Sequence, residues 1–156
     1  MALTFRLAAP SDYELLERLC IDSFEPITWL KKADKQFGPL NGKDWRARWQ
    51  LRFRHVFTTQ TVLIGELDGE VAAFATGTVD PATLLGFIDI LGVSQKLKGR
   101  GYGREMLRGM LEWMKEQGAV HANLECLADN DAGNSLYRAE GFVEVARSIR
   151  WFIKIP

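Results

Sequence analysis

The chain has 156 residues, 47% hydrophobic and 26% charged, with 20 Lys plus Arg balanced by 20 Asp plus Glu. This is one domain's worth of chain with globular composition, so a disordered tail is excluded, and the charge balance argues against a nucleic-acid partner. Its two cysteines, Cys20 and Cys126, come without Cys-x-x-Cys or a His cluster, so no metal is expected and a reduced, cytoplasmic setting is; a leader pattern and a run of ~20 apolar residues are both lacking, which predicts neither secretion nor a membrane span.

Thr4 to Leu7 reads as a short strand, and Ser11 to Glu14 fits a capping box that opens a first helix. Leu15, Leu16, Leu19 and Cys20 form its apolar stripe at helical period. From Phe24 to Phe57 the pattern loosens into helix and loop rich in bulky residues, Trp29, Phe37, Trp45, Trp49, Phe53 and Phe57, broken by Gly38-Pro39 and Asn41-Gly42. Thr61 to Glu66 and Glu70 to Thr78 flank Leu67-Asp68-Gly69 and predict a hairpin, hence a partly antiparallel sheet. Leu84 to Val93 is a third strand that leads through Ser94 to Leu97 into a glycine-rich turn, 98–103, and a helix with the stripe Met106, Leu107, Met110, Leu111 and Met114, capped near Gly118. Val120 to Leu127 predicts a strand, Asp131 to Ala139 a short helix ended by Gly141, and Phe142 to Val145 and Ile149 to Ile155 two closing strands. No repeat or linker divides the chain, so one domain over 1–156 is expected.

The turn Lys98-Gly99-Arg100-Gly101-Tyr102-Gly103 carries the chemistry. A strand running into such a turn and then a helix aims unpaired N–H groups and the positive helix end at an anion, so a phosphate or pyrophosphate is expected there. Gly101 and Gly103 would let backbone approach ligand oxygens, and Lys98, Arg100 and Arg104 could add charge. The turn lacks the Gly-Lys-Ser/Thr of a P-loop, and it comes late, after a hairpin, which fits a dinucleotide-binding βαβ unit poorly.

A loop of the form Gln or Arg, x, x, Gly, x, Gly or Ala shortly after a strand is that of the GNAT superfamily of N-acetyltransferases, which this sequence resembles. The likeness continues from Leu124-Glu125-Cys126-Leu127-Ala128-Asp129-Asn130 to Leu136-Tyr137-Arg138-Ala139-Glu140-Gly141-Phe142. It covers roughly Thr61 to Val145, with two departures: Lys98 opens the loop, and Gly133 stands where the family usually has Ala.

The resemblance implies a mixed, mostly antiparallel central sheet flanked by helices, acetyl-CoA as acyl donor, and direct transfer to a primary amine of a small molecule or peptide. It further implies that the Val93 backbone N–H polarises the thioester, that the pantetheine arm pairs with the strand at Leu91 and Val93, and that Tyr137 protonates the leaving thiolate. A homodimer through the closing strands is also within the family's habit. A protonated amine must lose its proton, for which Asp89 and Glu125 are the candidates. Strand alternation puts Asp89 on the face of Leu91 and Val93. Asn130 and Asn134 flank the short helix's start, where Asn caps well and could also bond the pantetheine amides. His55 and His121 are isolated, and Trp29, Trp45 and Trp49 lie in the segment that in this family covers the acceptor. A non-catalytic acyl-CoA sensor and a phosphate-binding regulatory domain are the competing readings; the second leaves the 130–142 pattern unexplained.

Overall fold

A computed structural model describes residues 2–156. Five strands form one sheet in chain order: β1 (Thr4–Leu7), β2 (Thr61–Leu67), β3 (Glu70–Asp80), β4 (Leu85–Val93) and β5 (His121–Leu124). The first three pairings are antiparallel and β4 to β5 is parallel, as the expected mixed, mostly antiparallel sheet requires. The helices are α1 (Tyr13–Phe24), α2 (Trp29–Phe37), α3 (Trp45–Thr59), α4 (Tyr102–Glu116) and α5 (Asp131–Ala139); among the described residues no helix is long and apolar enough to cross a membrane.

Local chemistry sets most boundaries. The Thr28 hydroxyl accepts the Leu30 N–H at 3.3 Å and caps α2, while the Asp44 carboxylate accepts the Ala47 N–H at 2.9 Å and caps α3. The expected Ser11 to Glu14 box does not form. Instead a single turn over Pro10–Asp12 precedes α1, and the Asp12 carboxylate, ion-paired to Arg6, takes the Ala9 N–H at 2.7 Å.

Two apolar layers sandwich the sheet. On one face Leu16, Cys20, Phe53, Ile64, Phe74 and Ile90 pack under α1 and α3; on the other Leu63, Ala73, Ala75 and Ile88 meet Met106, Leu107, Met110 and Met114 of α4. Each such large side chain contributes about 1.5–3 kcal/mol by leaving water. Ile88 and Ile90 lie on opposite faces although they are two residues apart, because the β3–β4 register shifts between them. Thr76 faces Ile90 and Gly77 faces Ile88, so Asp89 has no partner on β3. Gly77 makes this bulge possible: a Cβ there would lie 2.4 Å from the Phe87 carbonyl oxygen.

Two expectations differ. β5 stops at Leu124, and the two closing strands, Phe142 to Val145 and Ile149 to Ile155, are absent as strands. The middle segment, read as helix and loop, holds two regular helices joined by residues 38–44.

Candidate active site

The bulge divides β4. Leu85 to Ile88 pair with β3 on one side and with His121 to Leu124 of β5 on the other. Beyond Ile88, β5 turns away; Asp89 is bulged out, and Ile90 to Val93 keep β3 as their strand neighbour. The Ser94 N–H donates to the Ala72 carbonyl at 2.8 Å, so antiparallel alternation turns the polar groups of Gly92 and Ser94 toward β3 and those of Leu91 and Val93 toward the gap. The Val93 carbonyl accepts the Ser23 hydroxyl at 2.9 Å; its N–H faces the cleft. A cleft thus opens between β4 and the 125–130 segment with a free strand edge along one wall.

The glycine turn closes one end of that cleft. Gly99 and Gly101 have φ of +78° and +86°, the left-handed region in which a side chain is strained. Among the described residues the N–H groups of Gly99 through Arg104 have no backbone acceptor, and no side chain caps α4. A built Cβ on Gly103 would meet Val93 Cγ2 at 3.6 Å and Leu136 Cδ2 at 3.8 Å, so the start of α4, the end of β4 and α5 converge. These contacts are ordinary, so packing within the chain does not require glycine at 103. Lys98 and Arg100 are exposed, whereas Arg104 is ion-paired to Glu140 at 2.9 Å, with Arg108 on the other oxygen at 2.7 Å. The two guanidiniums hold the Glu140 carboxyl below its usual range, Arg108 chief among them.

On the far wall, Asn130 caps α5 by accepting the Gly133 N–H at 3.1 Å, and Asn134 donates its amide to the Leu127 carbonyl at 2.9 Å. Gly133 has a local reason to be glycine: a Cβ there would lie 2.7 Å from Asn130 Nδ2 and 3.0 Å from Cys126 Sγ. The departure from Ala therefore preserves the cap.

A match to the acetyltransferase (GNAT) family covers residues 24–142. The chain belongs to the acetyltransferase (GNAT) family. Among curated relatives, N-alpha-acetyltransferase 30 of Schizosaccharomyces pombe is 32% identical over 71 residues, 46% of this chain and 47% of that protein. N-alpha-acetyltransferase RimI of Mycobacterium tuberculosis is 38% identical over 65 residues, 42% of this chain and 39% of that protein. The chain thus spans less than half the length of these relatives. Among solved structures, AAC(6')-Iy in complex with a bisubstrate analog superposes with a TM-score of 0.68 at 14% identity, covering 99% of this chain and 100% of that one. A tetramutant of the BH1408 protein from Bacillus halodurans gives a TM-score of 0.69 at 19% identity, covering 96% and 99%. These likenesses show a GNAT fold.

Tyr137, like Leu91, Val93, Tyr102 and Leu136, packs against the α4-side layer, and it meets Phe142 edge-on at 5.8 Å. Burial, with Cys126 beside it, pushes the phenol up to about 12. Burial likewise raises the Cys126 thiol, against the pull of the Asn130 side chain. The two acids differ. Asp89 does not share the face of Leu91 and Val93: the bulge turns it toward α3, where Arg52 binds Oδ1 and Gln60 Nε2 donates to Oδ2 at 2.8 Å. Period-two reading misses this because a bulge breaks the period, and the one signal for it is a glycine, Gly77, inside a strand. Glu125 is exposed, just past β5, and makes no ion pair among the described residues. Ala122 and Leu124 join the α4 layer, so alternation sends Glu125 to the opposite face, the one Asp89 occupies.

The tryptophans divide as well. Trp49 is buried against Phe24 and donates its indole N–H to Thr28 at 2.7 Å, so it is core. Trp45 lies beneath Lys31 and Arg46, and Trp29 beneath Arg150. Lys32 of α2, which sequence reading passed over, ion-pairs with Asp129 across the mouth of the cleft.

Proposed function

We propose that the chain is an N-acetyltransferase domain over 1–156 that moves the acetyl group of acetyl-CoA directly onto a primary amine of a small molecule or peptide. The observation that carries this reading is the free edge of β4 at Leu91 and Val93, ending at the uncapped start of α4. In this reading the pyrophosphate sits on the amides of Gly99 to Arg104, with Lys98, Arg100 and Arg104 adding charge and Tyr102 and Gly103 inside the first helical turn. The pantetheine arm pairs with Leu91 and Val93 as an added strand, flanked by Asn130 and Asn134.

The amine nitrogen attacks the thioester carbon, and the Val93 N–H stabilises the oxygen as it gains charge. Collapse breaks the C–S bond. A phenol at about 12 is a far weaker acid than a thiol near 8.5, so Tyr137 stabilises the departing thiolate by donating a hydrogen bond. For the amine's proton, Glu125 is the better placed acid, reached through water, because both oxygens of Asp89 are already engaged by Arg52 and Gln60. Asp89 then holds Arg52 and the bulge in place.

Release of free CoA, measured with panels of polyamines, aminosugars and peptide N-termini, tests the proposal. Turnover with one panel and its loss in Tyr137→Phe support it. Tight acetyl-CoA binding with no turnover on any panel favours the sensor reading, in which the cofactor is bound and kept.

A further inference from the structure

The two walls of the cleft mouth carry opposite charge. Residues 121–131 hold Glu125, Asp129 and Asp131 and no Lys or Arg, whereas 29–59 hold eight Lys or Arg against Asp34 and Asp44, in a chain whose totals balance. Arg48 and Arg52 are engaged by Asp34 and Asp89. Three other cations stand on aromatic rings. Lys31 and Arg46 lie over Trp45 at 5.5 and 5.0 Å and share the one carboxylate of Glu25 at 3.7 and 3.6 Å. Arg150 lies over Trp29 at 4.0 Å and makes no ion pair among the described residues. Lys32 reaches across to Asp129, in a pair exposed by 57% and 65%.

A cationic rim with fewer carboxylates than charges favours an anion and repels a further cation. We propose that the acceptor is a peptide whose N-terminal amine is followed by acidic side chains. The amine enters between Glu125 and Asp129, and the carboxylates rest on Lys31, Lys32, Arg46 and Arg150. This names the acceptor within the acyl-transfer reading and rests on that reading for the transfer step. The exposed Lys32–Asp129 pair is weak because water screens both charges; the peptide replaces it with two pairs, its ammonium on Asp129 and a carboxylate on Lys32. A polyamine or an aminosugar would instead set its further ammoniums against α2. A lone amino acid spans too little of the rim, since the nine residues of α2 run about 13 Å, the reach of about four residues of extended chain. In the transfer the peptide nitrogen forms the amide as the C–S bond breaks, and its proton passes through water to Glu125.

Two C-terminally labelled peptides test this, one with Ala followed by alternating Asp and Glu and one with Ala followed by alternating Lys and Arg. Each is titrated by fluorescence anisotropy at low and high salt, with and without CoA, and each is assayed for CoA release from acetyl-CoA. Wild type is set beside Lys31→Glu/Lys32→Glu, Arg150→Glu and, as a control on the opposite face of the sheet, Lys115→Glu at the end of α4, all checked for fold by circular dichroism. The acidic peptide is expected to bind about tenfold or more tighter than the basic one, to weaken with salt and to be acetylated faster. The double variant reverses the preference, Arg150→Glu reduces it, and Lys115→Glu leaves it unchanged. Equal binding of the two peptides, a preference for the basic one, or the same loss in Lys115→Glu would overturn the proposal, as would acidic-peptide binding without acetylation in a protein that acetylates a polyamine or aminosugar. Failure of the acyl-transfer reading looks different: wild type then binds no acetyl-CoA, which overturns the transfer step while the titrations without CoA still decide what the rim binds.

Discussion

The two halves of β4 share one strand and do opposite work. Leu85 to Ile88 are paired on both sides and packed on α4; Ile90 to Val93 are paired on one side and face a cleft. The first half is closed by a strand on each side, and the second leaves the outward groups of Leu91 and Val93 without a strand partner, the edge on which the proposed function rests. Changes in the closed half should therefore register as lost stability, and changes in the open half as lost binding or rate.

The sharpest cut is Val93→Pro, which removes one N–H from the open edge and no ladder bond. We expect kcat to fall about 10²–10³-fold with the melting temperature nearly unchanged; a large drop in stability instead would mean that this N–H belongs to the sheet. Tyr137→Phe should cost about 10²-fold in kcat with KM for acetyl-CoA little changed, measured by steady-state kinetics. Its raised pKa also has a signed consequence. A phenol whose folded value is about 12 against about 10 unfolded adds stability below pH 10 that is lost as pH rises toward 12. Denaturant titrations of wild type against Tyr137→Phe across that window should show the difference shrinking.

The two acids give a smaller contrast on one face. Glu125→Gln should lower kcat about 10²-fold, whereas Asp89→Asn should mainly destabilise, by leaving Arg52 without its partner carboxylate. The reverse pattern would move the base to Asp89. The last variant, Gly77→Ala, lies on β3 opposite Ile88, at the bulge itself. The added methyl meets the Phe87 carbonyl at 2.4 Å, which predicts about 1–3 kcal/mol lost in denaturant unfolding.

What could be read without coordinates follows the same division. The stripe of Met106, Leu107, Met110 and Met114, the Asp68-Gly69 hairpin and the glycine turn were legible, because each is a local pattern with a local cause. The facing of Asp89 was not, since a bulge depends on the pairing of two strands. The region from Phe24 to Phe57 hid two helices because its bulky side chains serve the sheet, the helix partners and solvent in turn, which blurs the stripe. The last segment was legible as strand and is unpaired here; alternation encodes a face to bury, but which edge takes it is a tertiary matter.

Isothermal calorimetry with acetyl-CoA, beside ATP as control and with Gly101→Glu, tests the central claim most directly. Gly101 is left-handed at the start of α4, so the variant puts both strain and a carboxylate against the proposed pyrophosphate. The account predicts clear acetyl-CoA binding by wild type that weakens about 100-fold or more in the variant. Equal binding by the two folded proteins, or none by wild type, would contradict it.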